Sequence, residues 1–110
     1  MGKMQRSKGA RGERELAKKF SETFNCEAMR GRQYCGGPNS PDVITSIDDV
    51  HIECKRTERL ALYDALHQSE RDAGNDVPIV CHRKNKEDWV VIVKLDDLPR
   101  LTKILEKFVA

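Results

Sequence analysis

Asp42, Glu53 and Lys55 are the residues whose types and spacing could do chemistry, the last two in the run His51-Ile52-Glu53-Cys54-Lys55. If 42–45 and 50–56 are antiparallel strands around a turn centred on Ile47-Asp48, Ser46 pairs with Asp49, and Asp42 then stands opposite Glu53. Side chains alternate along a strand, so His51, Glu53 and Lys55 share one face while Ile52 and Cys54 take the other. Carboxylates directly opposite each other would lie about 4.5–5.5 Å apart at Cβ and repel. A divalent cation between them removes the conflict. Oxygen donors suit a hard ion such as Mg²⁺, with Mn²⁺ as its substitute, better than a thiophilic one. Such an ion lowers the pKa of a bound water and stabilises charge on a phosphate, and a paired-ion version would separate the ions by about 3.5–4 Å. Lys55 can position that water, help deprotonate it, and offset the charge that builds on the phosphorane.

The elements that must position these groups follow from periodicity. A helix fits 10–24, with Glu13, Leu16, Ala17, Phe20 and Phe24 on one face and Glu15, Lys18, Lys19 and Glu22 on the other. Glu13 therefore points inward, where a carboxylate needs a partner: an Arg, or the site made by Asp42 and Glu53. Residues 1–8 lack apolar periodicity and suggest a flexible basic arm ahead of a single domain over 9–110. A short strand at 27–30 precedes a Gly-, Pro-, Asn- and Ser-rich loop over 31–41. A second helix over 60–73 stops at Gly74, strands follow at 78–83 and 88–94, and a last helix runs from Asp96 or Asp97, as N-cap, to 109. That helix repeats Leu98, Leu101, Leu105 and Phe108 on one face, with Pro99 in its first turn. The continuous run Val90-Val91-Ile92-Val93 predicts a strand covered on both faces, and Trp89 is expected to pack in the sheet. The order α-β-β-β-α-β-β-α describes an α/β fold, one mixed sheet flanked by helices.

Composition bounds the partners. At 110 residues the chain has room for one core, and 35% charged residues with compact apolar runs indicate a soluble globular protein. No stretch approaches the roughly 20 apolar residues of a membrane span, and no apolar signal region follows the N-terminal charges, so a cytoplasmic location and no membrane partner are expected. The net charge of +2 hides an asymmetry: residues 1–34 carry nine Lys and Arg against four Glu. A basic first segment suits a polyanion such as nucleic acid, although a solvated helix face would look the same. The four cysteines include no Cys-x-x-Cys pair and predict buried thiols rather than disulfides. A zinc site from Cys26, Cys35, Cys81 and His82 matches no common spacing. His51 shares the face of Glu53 and so could touch DNA or metal, although it reads first as a strand-edge histidine, while His67 and His82 show no partner.

Gly12-Glu13-Arg14-Glu15-Leu16, Pro41-Asp42-Val43-Ile44, Ile52-Glu53-Cys54-Lys55 and Gln68 together resemble the PD-(D/E)XK nuclease superfamily, and within it the small Holliday-junction resolvases of archaea and phages. The resemblance spans roughly residues 8–95 and implies a restriction-endonuclease-like core, a divalent metal, and a homodimer acting on branched DNA. It implies Asp42 and Glu53 as metal ligands with the Cys54 carbonyl as a third, and Lys55 as the catalytic lysine. Glu13 would reach the metal through water, and Gln68 would complete the site. Lys3, Arg6, Lys8, Arg11, Arg14, Arg30 and Arg32 are the expected DNA contacts, with Ser40 beside the metal. No nucleotide cofactor is implied. The host would be a bacterial, archaeal or phage-infected cell. Two alternatives stay open: a virus-type replication-repair nuclease acting on flaps or other structured DNA, and a DNA-binding protein that keeps the fold without chemistry.

Overall fold

A computed structural model describes residues 2–31 and 40–109, with side chains from Gly9 onward. Its elements are α1 (Gly2–Phe24), β1 (Ala28–Arg30), β2 (Val43–Thr45), β3 (Val50–Arg56), α2 (Leu62–Ala73), β4 (Val77–Arg83), β5 (Val90–Ile92) and α3 (Leu98–Leu105). Single 3₁₀ turns, Leu95–Asp97 and Glu106–Phe108, flank α3. The order is the one the periodicity predicts.

Helix α1 starts at Gly2 rather than near Ala10, so its backbone extends through the segment expected to be an arm. That segment contains no proline and is rich in Lys, Met, Gln and Arg, all good helix formers. Its missing apolar stripe bears on packing, not on helix formation. Farther along, Leu16, Ala17 and Phe20 are buried as the spacing requires, and the Phe20 and Phe24 rings lie 5.5 Å apart. The helix ends where Asn25 adopts a left-handed conformation with φ 50°.

The five strands lie in sequence order, β1-β2-β3-β4-β5. All neighbours are antiparallel except β3 and β4, whose parallel pairing runs from Val50↔Val77 to Arg56↔Arg83. A parallel pair needs a crossover, and α2 supplies it. Alternation divides β3 and β4 between two faces. Ile52, Ile79 and Cys81 join Leu16, Ala17, Phe20 and Leu101 in the main core. Val80 packs instead with Ala65 and Leu66 beneath α2, and Ser69 of α2, fully buried, donates to the Ile79 carbonyl at 3.3 Å.

Four expectations at the C-terminal end are corrected. Strand β5 is not covered on both faces: Val90 and Val91 are 51% and 53% exposed. It is an edge strand, and α1 packs chiefly on β1 to β3 and α2 on β3 and β4; only Ile92 of β5 rests against Ala65 and Leu66 of α2. A groove of about 200 Å³ lined by Leu16, Phe20, Phe24, Trp89 and Val91 opens between α1 and this strand. Trp89 precedes the strand rather than standing in it; it packs against the main core with its buried indole N–H unpaired among the described residues. Leu98, expected on the packed face of the last helix, is 42% exposed, whereas Leu101 is buried and Leu105 and Phe108 rest on the core. The 3₁₀ turn feeds directly into α3, so Leu98 sits at the helix mouth, and Asp97 has helical backbone angles and makes no side-chain cap.

Candidate metal and catalytic site

The hairpin has the predicted register. Val43 pairs with Ile52, and the Asp42 N–H donates to the Ile52 carbonyl at 2.9 Å. Asp42 therefore stands across from Glu53. The Cys54 N–H donates to Asp42 Oδ2 at 2.9 Å, which fixes the carboxylate against β3. From the other side the Gly31 N–H donates to the Asp42 carbonyl, also at 2.9 Å. A Cβ at Gly31 would lie 2.0 Å from the Pro41 carbonyl oxygen, so only glycine permits this clamp.

The two carboxylates are in the conflict that their register implies. Burial, and then the charge of Glu53 and Glu13, push the Asp42 carboxyl up from 3.8 to about 7, although the Cys54 N–H pulls the other way. Burial also pushes Glu53 up, but hydrogen bonds from His51 and Asp42 and the charges of His51 and Lys55 outweigh it, leaving its carboxyl below the usual value. The two shifts run in opposite directions, as they do where facing carboxylates cannot both keep their charge without a counterion. A divalent cation between the acidic oxygens would supply that counterion. The nearest sulfur does not compete: burial, then the charges of Asp42 and Glu13, raise the Cys54 thiol far above its ordinary value. Burial likewise pushes Cys81 up to about 12.

Lys55 lies on the Glu53 face, and its Nζ approaches Gln68 Oε1 of α2 at 3.5 Å. Gln68 is exposed, but the two residues named from separate motifs do meet. Glu13 is buried at 8% exposure and points inward as predicted. Both partners foreseen for it are present: Arg30 Nε binds its Oε1 at 2.7 Å, and its charge bears on Asp42. Helix α1 can come this close because Gly12 faces Arg56, where a Cβ would approach the Arg56 Cβ to 2.6 Å. Beside that contact, Arg56 and Arg83 both bind Glu15, tying α1 to the ends of β3 and β4.

Of the expected DNA contacts, Arg11 and Arg14 are exposed on α1. Arg30 is half-buried and commits its Nε to Glu13, so it is first a structural partner. Ser40 is half-buried next to Pro41. Arg32 and the side chains of Lys3, Arg6 and Lys8 lie outside the described residues, as does Cys35 of the imagined zinc set.

Two residues outside the expected site set are brought to it, His51, which shares the Glu53 face, and Asp72, which had no expected role. His51 is on the central strand of the sheet, not an edge, and is 3% exposed, with Nε2 2.8 Å from Glu53 Oε1. Asp72 of α2 brings a carboxylate oxygen within 4.8 Å of both. Their signals were the two-residue spacing from His51 to Glu53 on a strand, and the four-residue spacing from Gln68 to Asp72 on a helix. His82, which showed no partner in the sequence, has its Nε2 2.9 Å from the Thr57 carbonyl.

Comparison with known proteins agrees with this geometry. Residues 4–107 match the model of the family described as archaeal Holliday junction resolvase (Hjc). A search of curated proteins returned no match. Among solved structures, Archaeoglobus fulgidus Hjc, titled a Holliday junction resolvase from an archaeal hyperthermophile, superposes with a TM-score of 0.55 at 19% identity, covering 76% of this chain and 74% of that one. The superposition establishes a shared fold, and the family model extends over nearly the whole length: the chain belongs to the archaeal Holliday junction resolvase family, and with it to the metal-dependent PD-(D/E)XK endonucleases.

Proposed function

We propose that Asp42, Glu53 and the Cys54 carbonyl hold Mg²⁺, that Mn²⁺ can substitute, and that Lys55 is the catalytic lysine of this junction-resolving nuclease. The observation that carries the proposal is the Asp42–Glu53 pair, opposed across the hairpin and with Asp42 fixed by the Cys54 N–H at 2.9 Å. When bound, the ion would supply a Lewis acid to the scissile phosphate and a more acidic water. The chain's own groups do the remainder. Lys55 Nζ, beside Gln68, is placed to orient the attacking water and to neutralise charge developing on the phosphate oxygens. Gln68 keeps that ammonium over the Glu53 face. Glu13, braced by Arg30, stands where it can accept a hydrogen bond from water on the ion. Arg11, Arg14 and the basic residues preceding them would bind phosphates on either side of the cut, and Ser40 would lie by the metal.

Residues 9–110 would form one nuclease domain, and a homodimer would present two such sites to the arms of a four-way junction. Val90, Val91, Leu95 and Leu98, all exposed around the open edge of β5, support self-association. A cytoplasmic location fits a DNA-acting enzyme in which no described helix is long and apolar enough to cross a membrane.

The test is cleavage of four-way junction, flap and linear duplex DNA with Mg²⁺ or with chelator. Paired symmetric nicks in the junction, lost with chelator and with Lys55→Met, are the expected result. Undiminished cutting by Lys55→Met would overturn the assignment of the lysine. Preferential cutting of flaps would point to a replication-repair nuclease.

A further inference from the structure

We propose that His51 is a positioning residue, holding Glu53 so that one carboxylate oxygen stays free for the metal. The proposal rests on the assignment of Glu53 as a ligand and adds to it a group outside the ligand set. Its basis is geometric. His51 Nε2 lies 2.8 Å from Glu53 Oε1, and the two side chains are only 4% and 7% exposed. The carboxylate accepts, so the ring nitrogen donates, and with Oε1 engaged by the imidazole, Oε2 is left free for the cation.

The surroundings keep the ring in place. β3 alternation puts His51, Glu53 and Lys55 in a row beneath α2. Along α2, Gln68 meets Lys55, and Asp72, one turn later, closes on His51 and Glu53 within 4.8 Å. The imidazole is thus enclosed between a strand carboxylate and a helix carboxylate. A glutamate has three rotatable side-chain bonds, and ordering them opposes binding. A ligand already ordered by an outer hydrogen bond avoids that loss at the moment the metal arrives, and removing such an outer partner typically weakens metal affinity by about 10- to 100-fold.

The experiment measures Mn²⁺ binding to the full chain without DNA, by electron paramagnetic resonance of the free ion, in wild type, Glu53→Gln, His51→Ala and His51→Gln. Circular dichroism confirms that each variant is folded. Glu53→Gln should abolish binding. His51→Ala should raise the dissociation constant by about 10- to 100-fold, and His51→Gln, whose amide N–H₂ reaches a similar point, should recover most of it. Electron spin-echo modulation of the wild-type Mn²⁺ complex should show no directly coordinated nitrogen. The outcomes separate two failures. Unchanged binding by Glu53→Gln would overturn the site itself. Loss with Glu53→Gln but wild-type affinity in both His51 variants would overturn only the positioning role. A directly coordinated nitrogen in the wild type, which needs no variant to fold, would make His51 a ligand and overturn the proposal.

Discussion

The two faces of the sheet carry different burdens. On one, α1, α3 and the turn after it bury Leu16, Phe20, Ile52, Ile79 and Leu101 in a continuous apolar core. On the other, α2 covers a smaller apolar patch around Ala65, Leu66 and Val80, and the same strands there present His51, Glu53 and Lys55. Neighbouring residues of β3 therefore belong to different physics: Ile52 at 1% exposure stabilises the fold, and Glu53 at 5% is buried against the preference of a carboxylate. The dry face supplies the stability that lets charged groups be held out of water on the other.

The largest effect that would break this division comes from Glu53→Gln. Junction cleavage should fall by about 10²–10³-fold or more, with the far-ultraviolet circular dichroism spectrum unchanged. If cleavage survives, the polar face is not the reactive one. Next is Ile52→Ala, one residue away and facing the other side. It should cost about 2–5 kcal/mol in urea unfolding, while the folded fraction goes on cutting. If it removes activity from fully folded protein, the two faces are coupled more tightly than their packing indicates.

How much of this division was legible in the sequence depended on whether a local rule fixed it. The hairpin register followed from alternation and one turn, so Asp42 and Glu53 were placed opposite each other, and β3 matched its expected bounds at Val50–Arg56. Glu13 followed from helical spacing in the same way. What was missed depended on neighbours distant in sequence. The run Val90-Val91-Ile92-Val93 has the composition of a central strand, but exposure is decided by which helices lie across it, and α1 and α2 pack chiefly on β1 to β4, leaving Val90 and Val91 exposed. His51 looked like an edge histidine because the parallel pairing with β4, which makes β3 central, is not a local signal. Asp72 needed the α2 placement before it could be connected to His51 at all.

A smaller effect sharpens the electrostatic side of the comparison. The Asp42 carboxyl is near 3.8 in the unfolded chain and about 7 when folded without metal. Folding then takes up a proton between those values, so this contribution to stability is full below about pH 4 and is lost as pH rises to about 7. Glu53, shifted down from 4.5, acts in the opposite sense and only toward the acid end. Thermal melts in chelator should therefore fall from pH 5 toward pH 7 (about two units), and Asp42→Asn should flatten that slope. An equally steep slope in Asp42→Asn would place the buried proton elsewhere. The smallest expected effect is at the surface. Arg14→Gln should reduce the log–log salt dependence of junction binding by about one with folding unaffected. No change in slope would remove this part of α1 from the DNA interface.

The hydrogen bond from the Gly31 N–H to the Asp42 carbonyl, at 2.9 Å, separates what can vary from what must stay. The chain leaves at residue 31 and returns at residue 42 through a single closed stem. With the two ends held together by this bond, a change in the sequence between them leaves Asp42 where it stands. The acidic pair can therefore keep its geometry while that sequence varies, and glycine at 31 is the residue that keeps the two independent.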